Sequence, residues 1–501
     1  MKNRSTIQIV GLYLGLLLFV LSYFFYDPEP SNPLLGKMLS VVVLMATWWV
    51  TEAIPLAITS LLPLVLFPLF KINNPETTAG AYMNSIILLY IGGFLVALAM
   101  EKWNLHRRIA LNIIYKIGKD PRKLILGFMI AASFLSMWMS NTACAVMMLP
   151  IGMAIILKLE EEFDKPTAHK LSVSLLVSIA YGTSIGGTAT LIGTPTNLAF
   201  AKIYSSTFHG VEPITFSQWF VFGLPISIVI LFVSWYIIVN WVAKIDKNLG
   251  MNSNLIKREL DLLGRMSYEE KVVIVMGSLT ALLWIFRKDI AIGNFAIPGW
   301  SNISSAFILV DDSTVAVTMA VLLFIWPSKN GKAKAMLEAS AIRDLPWTAI
   351  LLFGGGFAIA DGFTASGLTK YFAAQFNLMG HMPLYMSILL SCLVVTLVTE
   401  FVSNIATVQM FLPVLAAWAL AQHIHPLYLM IPATIMSSMA FMMPVGTPPN
   451  AVIFGSGRIS IADMVKYGWG LKIASLIIVV IMILILFTLL DINSMFPMNM
   501  K

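Results

Sequence analysis

The sequence predicts an all-α integral membrane protein of about eleven transmembrane helices and two re-entrant helical hairpins, arranged as inverted-topology repeats. Three observations predict it. Hydrophobic residues make up 58 % of the 501 and charged residues 11 %, with a mean hydropathy of +0.84; a soluble domain carries about 25 % charge. The apolar residues gather in long stretches. Several polar motifs occur twice, in the same order. Together these exclude cytosolic enzymes, nucleic-acid readers and disordered scaffolds. The net charge of +7 is then read as orientation in the bilayer, not as a nucleic-acid surface.

The first apolar stretch, 7–26, follows Lys2 and Arg4 and has no small-residue cleavage pattern after it. It reads as a membrane helix that starts in the cytoplasm, not as a signal peptide. Stretches 34–52, 53–70 and 82–100 follow. Stretch 124–157 is long for one crossing, since about 20 residues span the hydrocarbon core. Polar residues in its middle favour a hairpin that enters and leaves on one side. Stretches 171–201, 216–243, 270–286, 312–327 and 346–365 read as single spans. Stretch 383–421 repeats the hairpin pattern, and 427–456 and 470–490 complete the set. With the N-terminus inside, 25 of the 32 Lys and Arg fall in inside segments and 6 in outside ones. That bias supports eleven spans with the C-terminus outside. Cys144 and Cys392 both lie in apolar stretches and point to no structural disulfide.

The repeat is explicit. Gly92-Gly93-Phe94 matches Gly355-Gly356-Phe357, and Ser140-Asn141-Thr142-Ala143 matches Ser403-Asn404-Ile405-Ala406, both at an offset of 263. Gly193-Thr194-Pro195-Thr196-Asn197 matches Gly446-Thr447-Pro448-Pro449-Asn450 at 253. Five spans separate the two units, so their orientations are opposite. Inverted repeats with interrupted apolar segments in matching places mark secondary transporters, with the site near the midplane.

The repeated motifs suggest its chemistry. Ser140-Asn141 and Ser403-Asn404 read as N-cap regions at hairpin tips. Free N–H groups and the positive helix end there attract an anion. Gly193-Thr194-Pro195 and Gly446-Thr447-Pro448 break their helices and release backbone carbonyls, which suit a hard cation such as sodium. Ser136 and Thr399 lie one turn before the tips and add oxygens. No Lys or Arg lies in 124–157, 171–201 or 383–457. A doubly charged anion held there needs dipoles and mobile cations for neutralisation. Glu52, Asp361 and Glu400 are candidate intramembrane acids. Gly182-Thr183-Ser184-Ile185-Gly186 matches a nucleophile-elbow pattern, but a helix is the wrong setting for it and no His lies at membrane depth to act as base.

With these paired motifs, two hairpins and eleven spans, nearly the whole chain resembles the divalent anion/sodium symporter family. The resemblance implies a bacterial-type sodium-coupled carrier of dicarboxylates such as succinate, malate and fumarate, with no organic cofactor. It implies a homodimer in the cytoplasmic membrane, in which a transport domain slides as an elevator against a scaffold. Carried over by motif, one sodium site uses Ser136, Ser140, Asn141 and Gly193. The other uses Thr399, Val402, Asn404 and Gly446. The substrate carboxylates meet Asn141, Thr142, Thr194, Asn404 and Pro448, with Ser403 and Thr447 close by. Ile405 departs from the doubled Ser-Asn-Thr pattern, so the protein offers one hydroxyl fewer to the substrate. The implied division is scaffold 1–123, transport domain 124–243, linker and scaffold 244–382, transport domain 383–490, and tail 491–501. The alternatives within transport are a sodium-independent exchanger of the same fold and a sulfate or tricarboxylate carrier. A membrane-embedded hydrolase is the remote alternative outside it.

Overall fold

The computed structural model describes residues 4–26, 28–118, 120–208, 211, 213–246, 254–292, 295–331, 333–378, 380–492 and 496. Lys2, and all of the tail except Asp491, Ile492 and Phe496, lie outside the described residues. Helices fall on every predicted apolar stretch. Helix α1 (Thr6–Phe25) opens with a Ser5/Gln8 capping box and packs on α2 (Pro33–Thr51). Stretch 53–70, expected as one span, is divided into α3 (Leu56–Thr59) and α4 (Leu62–Phe70). Pro55 and Pro63 lack the N–H that a continuous helix would need. Helix α5 (Pro75–Gly80) is short, α6 (Ser85–Lys102) is a candidate membrane span, and α7 (Leu105–Ile117) packs on the arm that follows it.

Stretch 124–157 folds as two arms, α8 (Pro121–Ser136) and α9 (Asn141–Glu162). Stretch 171–201 is broken, as α10 (Lys165–Gly187) and α11 (Pro195–Thr207). Helix α12 (Phe216–Tyr236) continues as a π-helical turn, Ile237–Val242. Next come α13 (Asn254–Leu262) and α14 (Tyr268–Ile285). Strands Ile290–Ile292 and Phe295–Ile297 pair antiparallel, a departure from the all-α expectation that is confined to a loop. Helices α15 (Asp312–Ile325), α16 (Trp347–Ser366) and α17 (Leu368–Asn377) lead to the second hairpin. Its arms are α18 (Leu384–Val398) and α19 (Asn404–Ala421). The second broken helix is α20 (Leu427–Ser437) and α21 (Pro448–Phe454). Helix α22 (Ile461–Leu489) starts nine residues before the predicted 470, fixed by a Ser460/Asp463 capping box. Lys472, counted from sequence among the cytoplasmic cations, is therefore well inside a helix and buried.

The two broken helices form the centre. In α10 every residue from Leu171 to Gly187 is buried, and in α20 all but Tyr428 are. Helices apolar all round need neighbours on every side. Each packs between the arms of its own hairpin: α10 against α8 and α9, α20 against α18 and α19. Close approach requires Gly186, where a Cβ would overlap the Ser133 backbone of α8. The repeats then cross, with α9 against α21 and α11 against α19. This brings each hairpin's second arm onto the other repeat's broken helix.

Candidate functional site

Each tip is a short turn between arms. At the first, Ser140 takes an extended conformation and its Oγ accepts from Ala143 N at 3.1 Å, capping α9. At the second, Ser403 holds the same position before α19, but its hydroxyl makes no capping bond. The N-terminal N–H groups of α19 are thus less satisfied than those of α9. Thr142 and Ile405, at the third motif positions, are both half-buried.

Each break is locked by the asparagine that ends its motif. Asn197 Nδ2 donates to Gly187 O at 3.2 Å and to Thr190 O at 2.7 Å. Asn450 Nδ2 donates to Ala440 O at 2.9 Å and Met443 O at 3.0 Å. All three positions are related by the offset of 253. Thr194 and Thr447 occupy the N-cap positions of α11 and α21 in extended conformation, and neither side chain caps its helix. Pro448 opens α21, where its missing N–H costs nothing. The repeats join here: Thr196 Oγ1 lies 2.9 Å from Ser438 Oγ and 3.3 Å from Thr194 Oγ1.

Hairpin tip and break meet around one amide in each repeat. The Asn141 carboxamide atom turned toward the break lies 2.5 Å from Ser136 Oγ, 3.2 Å from Gly193 O and 3.3 Å from Thr183 O. That of Asn404 lies 2.7 Å from Thr399 Oγ1 and 3.1 Å from both Gly446 O and Ser437 O. The surroundings of both amides are oxygens. With nitrogen turned inward, each amide closes the cluster by donating. The hydrogen bonding favours nitrogen inward; turning each amide over would present four oxygens, the donor set that hard cations take. The structure therefore brings together Ser136, Asn141 and Gly193, and separately Thr399, Asn404 and Gly446. The carbonyls of Thr183 and Ser437 also face these amides, and Ser140 and Val402, expected at the sodium sites, stand in the tip turns just before the two asparagines in the chain. Ser140 is committed to capping α9, and Val402 sits in the tip turn with its N–H on Val398 O. A backbone carbonyl inside a helix carries no sequence signal, so neither Thr183 nor Ser437 is legible from the sequence.

A narrow cavity touches the first tip, with Tyr90, Phe94, Trp138, Ser140, Gly193 and Pro195 among its lining residues. It shares Gly93, Trp138 and Ile192 with a larger apolar cleft of about 520 Å³ that reaches Arg108 and Met266. Of the three candidate acids, Glu52 is an exposed helix C-cap and Asp361 is half-buried late in α16. Glu400 is 1 % exposed and tied to its neighbours. Among the described residues, Ser184 Oγ has no hydrogen-bond partner.

The comparisons agree with this architecture. Solved structures of Neisseria gonorrhoeae MtrF and of the Alcanivorax borkumensis YdaH transporter share the fold. Their TM-scores are 0.57 and 0.56, at 12 % and 10 % identity, each over 96 % of this chain and 94 % and 98 % of theirs. Two relatives bear the name sodium-dependent dicarboxylate transporter SdcS. That of Staphylococcus aureus strain MRSA252 is 43 % identical over 99 % of this chain and 95 % of its own. That of Staphylococcus saprophyticus is 41 % identical over 96 % and 92 %. The family described as "Sodium:sulfate symporter transmembrane region" matches residues 8–492, which carry both hairpins, both breaks and both oxygen clusters, and the chain belongs to that family.

Proposed function

We propose that the protein is a sodium-coupled importer of C4-dicarboxylates in the cytoplasmic membrane, with its N-terminus inside and its C-terminus outside. The observation that carries this reading is the pair of repeat-related oxygen clusters at Asn141 and Asn404. Each is built from one hydroxyl, one amide and two carbonyls, a donor set without a protein charge. Sodium ions are the coupling ions that suit it. Cation charge at both clusters, with the N-terminal ends of α9, α11 and α19, then attracts the dianion between the tips. Thr142, Thr194, Ser403, Thr447 and Pro448 supply the substrate's remaining contacts. The similarity to relatives named sodium-dependent dicarboxylate transporters supports the same substrate class.

Coupling requires that the empty and the fully loaded states cross more readily than a half-loaded one. An anion among oxygens without sodium is an uncompensated charge in a dry site, which costs several kcal/mol. That cost opposes dianion binding without the cations and links the two fluxes. The moving unit is 124–243 with 383–490, sliding against the remaining helices of a homodimer. Radiolabelled succinate uptake into proteoliposomes tests the reading. Uptake should need an inward sodium gradient; equal uptake in choline medium would favour a sodium-independent exchanger.

A further inference from the structure

The two repeats hold their breaks by different chemistry. In the second, Glu400 of the hairpin tip accepts from the backbone N–H groups of Phe441, Met442 and Met443 at 3.0, 3.1 and 3.1 Å. Lys472 of α22 completes the carboxylate's partners, with Nζ 2.5 Å from Oε1. Glu400 and Lys472 are 1 % and 5 % exposed, so this ion pair lies in the dry interior. It ties three elements together: the tip beside Thr399, the break between Ser437 and Gly446, and α22.

Among the described residues the first repeat has no such pair. At the offset of 263 the residue matching Glu400 is Met137. The last helices of the repeats align at an offset of 245. Their N-caps are Thr215 and Ser460, and their break-facing glycines are Gly223 and Gly468. A Cβ on Gly223 would lie 2.7 Å from Thr188 O, and one on Gly468 2.6 Å from Phe441 O. Lys472 then matches Ser227, whose hydroxyl donates to Ile185 O at 2.8 Å. Both charges are present in one repeat and both are replaced by uncharged groups in the other. The oxygen clusters themselves remain alike.

We propose that Glu400 and Lys472 are positioning residues for the second cation cluster. By holding residues 441–443, the pair fixes the carbonyls of Ser437 and Gly446 around Asn404 before any ion arrives. The first cluster, held by neutral hydrogen bonds, is ordered mainly by its ion. A preformed cluster avoids the ordering cost at binding, so the second site fills at lower sodium concentration. The lysine lets a carboxylate do this at depth, since Glu400 without a counter-charge would be a strongly destabilising buried charge. This rests on the sodium-coupled reading above.

The test is sodium chloride titration of the purified protein against choline chloride at constant ionic strength, read by tryptophan fluorescence and thermal unfolding. E400Q should raise the half-saturating sodium concentration about tenfold or more. Lys472→Met should unfold or destabilise the protein, and the double variant E400Q/K472M should recover its unfolding temperature but keep the raised sodium requirement. A purely structural pair would recover both. Amide exchange of the wild type gives a reading that needs no variant: residues 441–443 should stay protected in sodium-free buffer, while the matching residues 188–190 gain protection when sodium is added. A folded E400Q or double variant with a sodium midpoint within twofold of wild type, or free exchange at 441–443 without sodium, would overturn the proposal. A wild-type protein with no response to sodium would instead overturn the sodium-coupled reading itself.

Discussion

At the residue scale the site turns on two amides. Asn141 and Asn404 each face one hydroxyl and two carbonyls, so Ala at either position removes the atom around which the cluster closes. Asn141→Ala and Asn404→Ala should each lower sodium-driven uptake by roughly tenfold or more, the worth of one charge-assisted contact of about 1.5–3 kcal/mol. Surface expression should remain, and uptake normalised to the protein in the membrane checks this. Near-normal uptake in either variant would place the site elsewhere. Ile405 tests the substrate side. Its half-buried side chain stands where the first repeat has Thr142. Ile405→Thr should alter the relative affinities for succinate, malate and citrate, measured by competition against labelled succinate. An unchanged ranking would mean that position 405 does not touch substrate. These positions were legible because polar residues repeat at a fixed offset inside apolar stretches. Thr183 and Ser437 were not, because both contribute a backbone carbonyl, which leaves no side-chain signal in the sequence. The sequence rightly shows no Lys or Arg in the hairpins or breaks, yet Lys472 reaches the second tip from a helix distant in the chain. Linear spacing carries no trace of that contact.

At the element scale, the two breaks are specified by local chemistry. Gly-Thr-Pro starts the second half of each broken helix, after the first half has ended at Gly187 or Ser437, and the asparagine two positions on bridges two carbonyls of the loop. Asn450→Ala leaves Ala440 O and Met443 O without that donor in a buried setting. A buried unsatisfied polar group costs about 1–3 kcal/mol, so the variant should unfold several degrees lower in a thermal scan. An unchanged midpoint would show that the loop finds another donor. The tip-and-break pattern was readable from motifs, whereas two boundaries were not. Stretch 53–70 counts as one apolar run, but its prolines divide it. Helix α22 begins in a polar segment, so hydropathy places its start too late, although Ser460 and Asp463 carry the capping signal. The strand pair at 290–297 lies between two spans, where apolar periodicity gives no guide.

At the scale of the whole molecule, the crossing of the repeats makes one unit of both hairpins and both broken helices. Helix α16 lies against two parts of that unit, α11 and α19. Gln409 of α19 donates to Leu352 O at 2.7 Å, and a Cβ at Gly356 would overlap its side chain. Cysteines at 356 and 409 are thus close enough for a disulfide. In a background without Cys144 and Cys392, oxidising that pair should stop uptake and reduction should restore it, if α19 slides past α16. Full uptake by the cross-linked protein would rule out that motion. Chemical cross-linking in membranes should likewise yield a band of two chains for a homodimer.

The coupling itself is tested most directly by measuring radiolabelled sodium and radiolabelled succinate entry in the same proteoliposomes. Two oxygen clusters around one anion site predict that succinate drives sodium entry, with more than one sodium per succinate, and that Asn141→Ala and Asn404→Ala each lower both fluxes together. Succinate entry with no accompanying sodium, or sodium entry indifferent to succinate, would contradict the account.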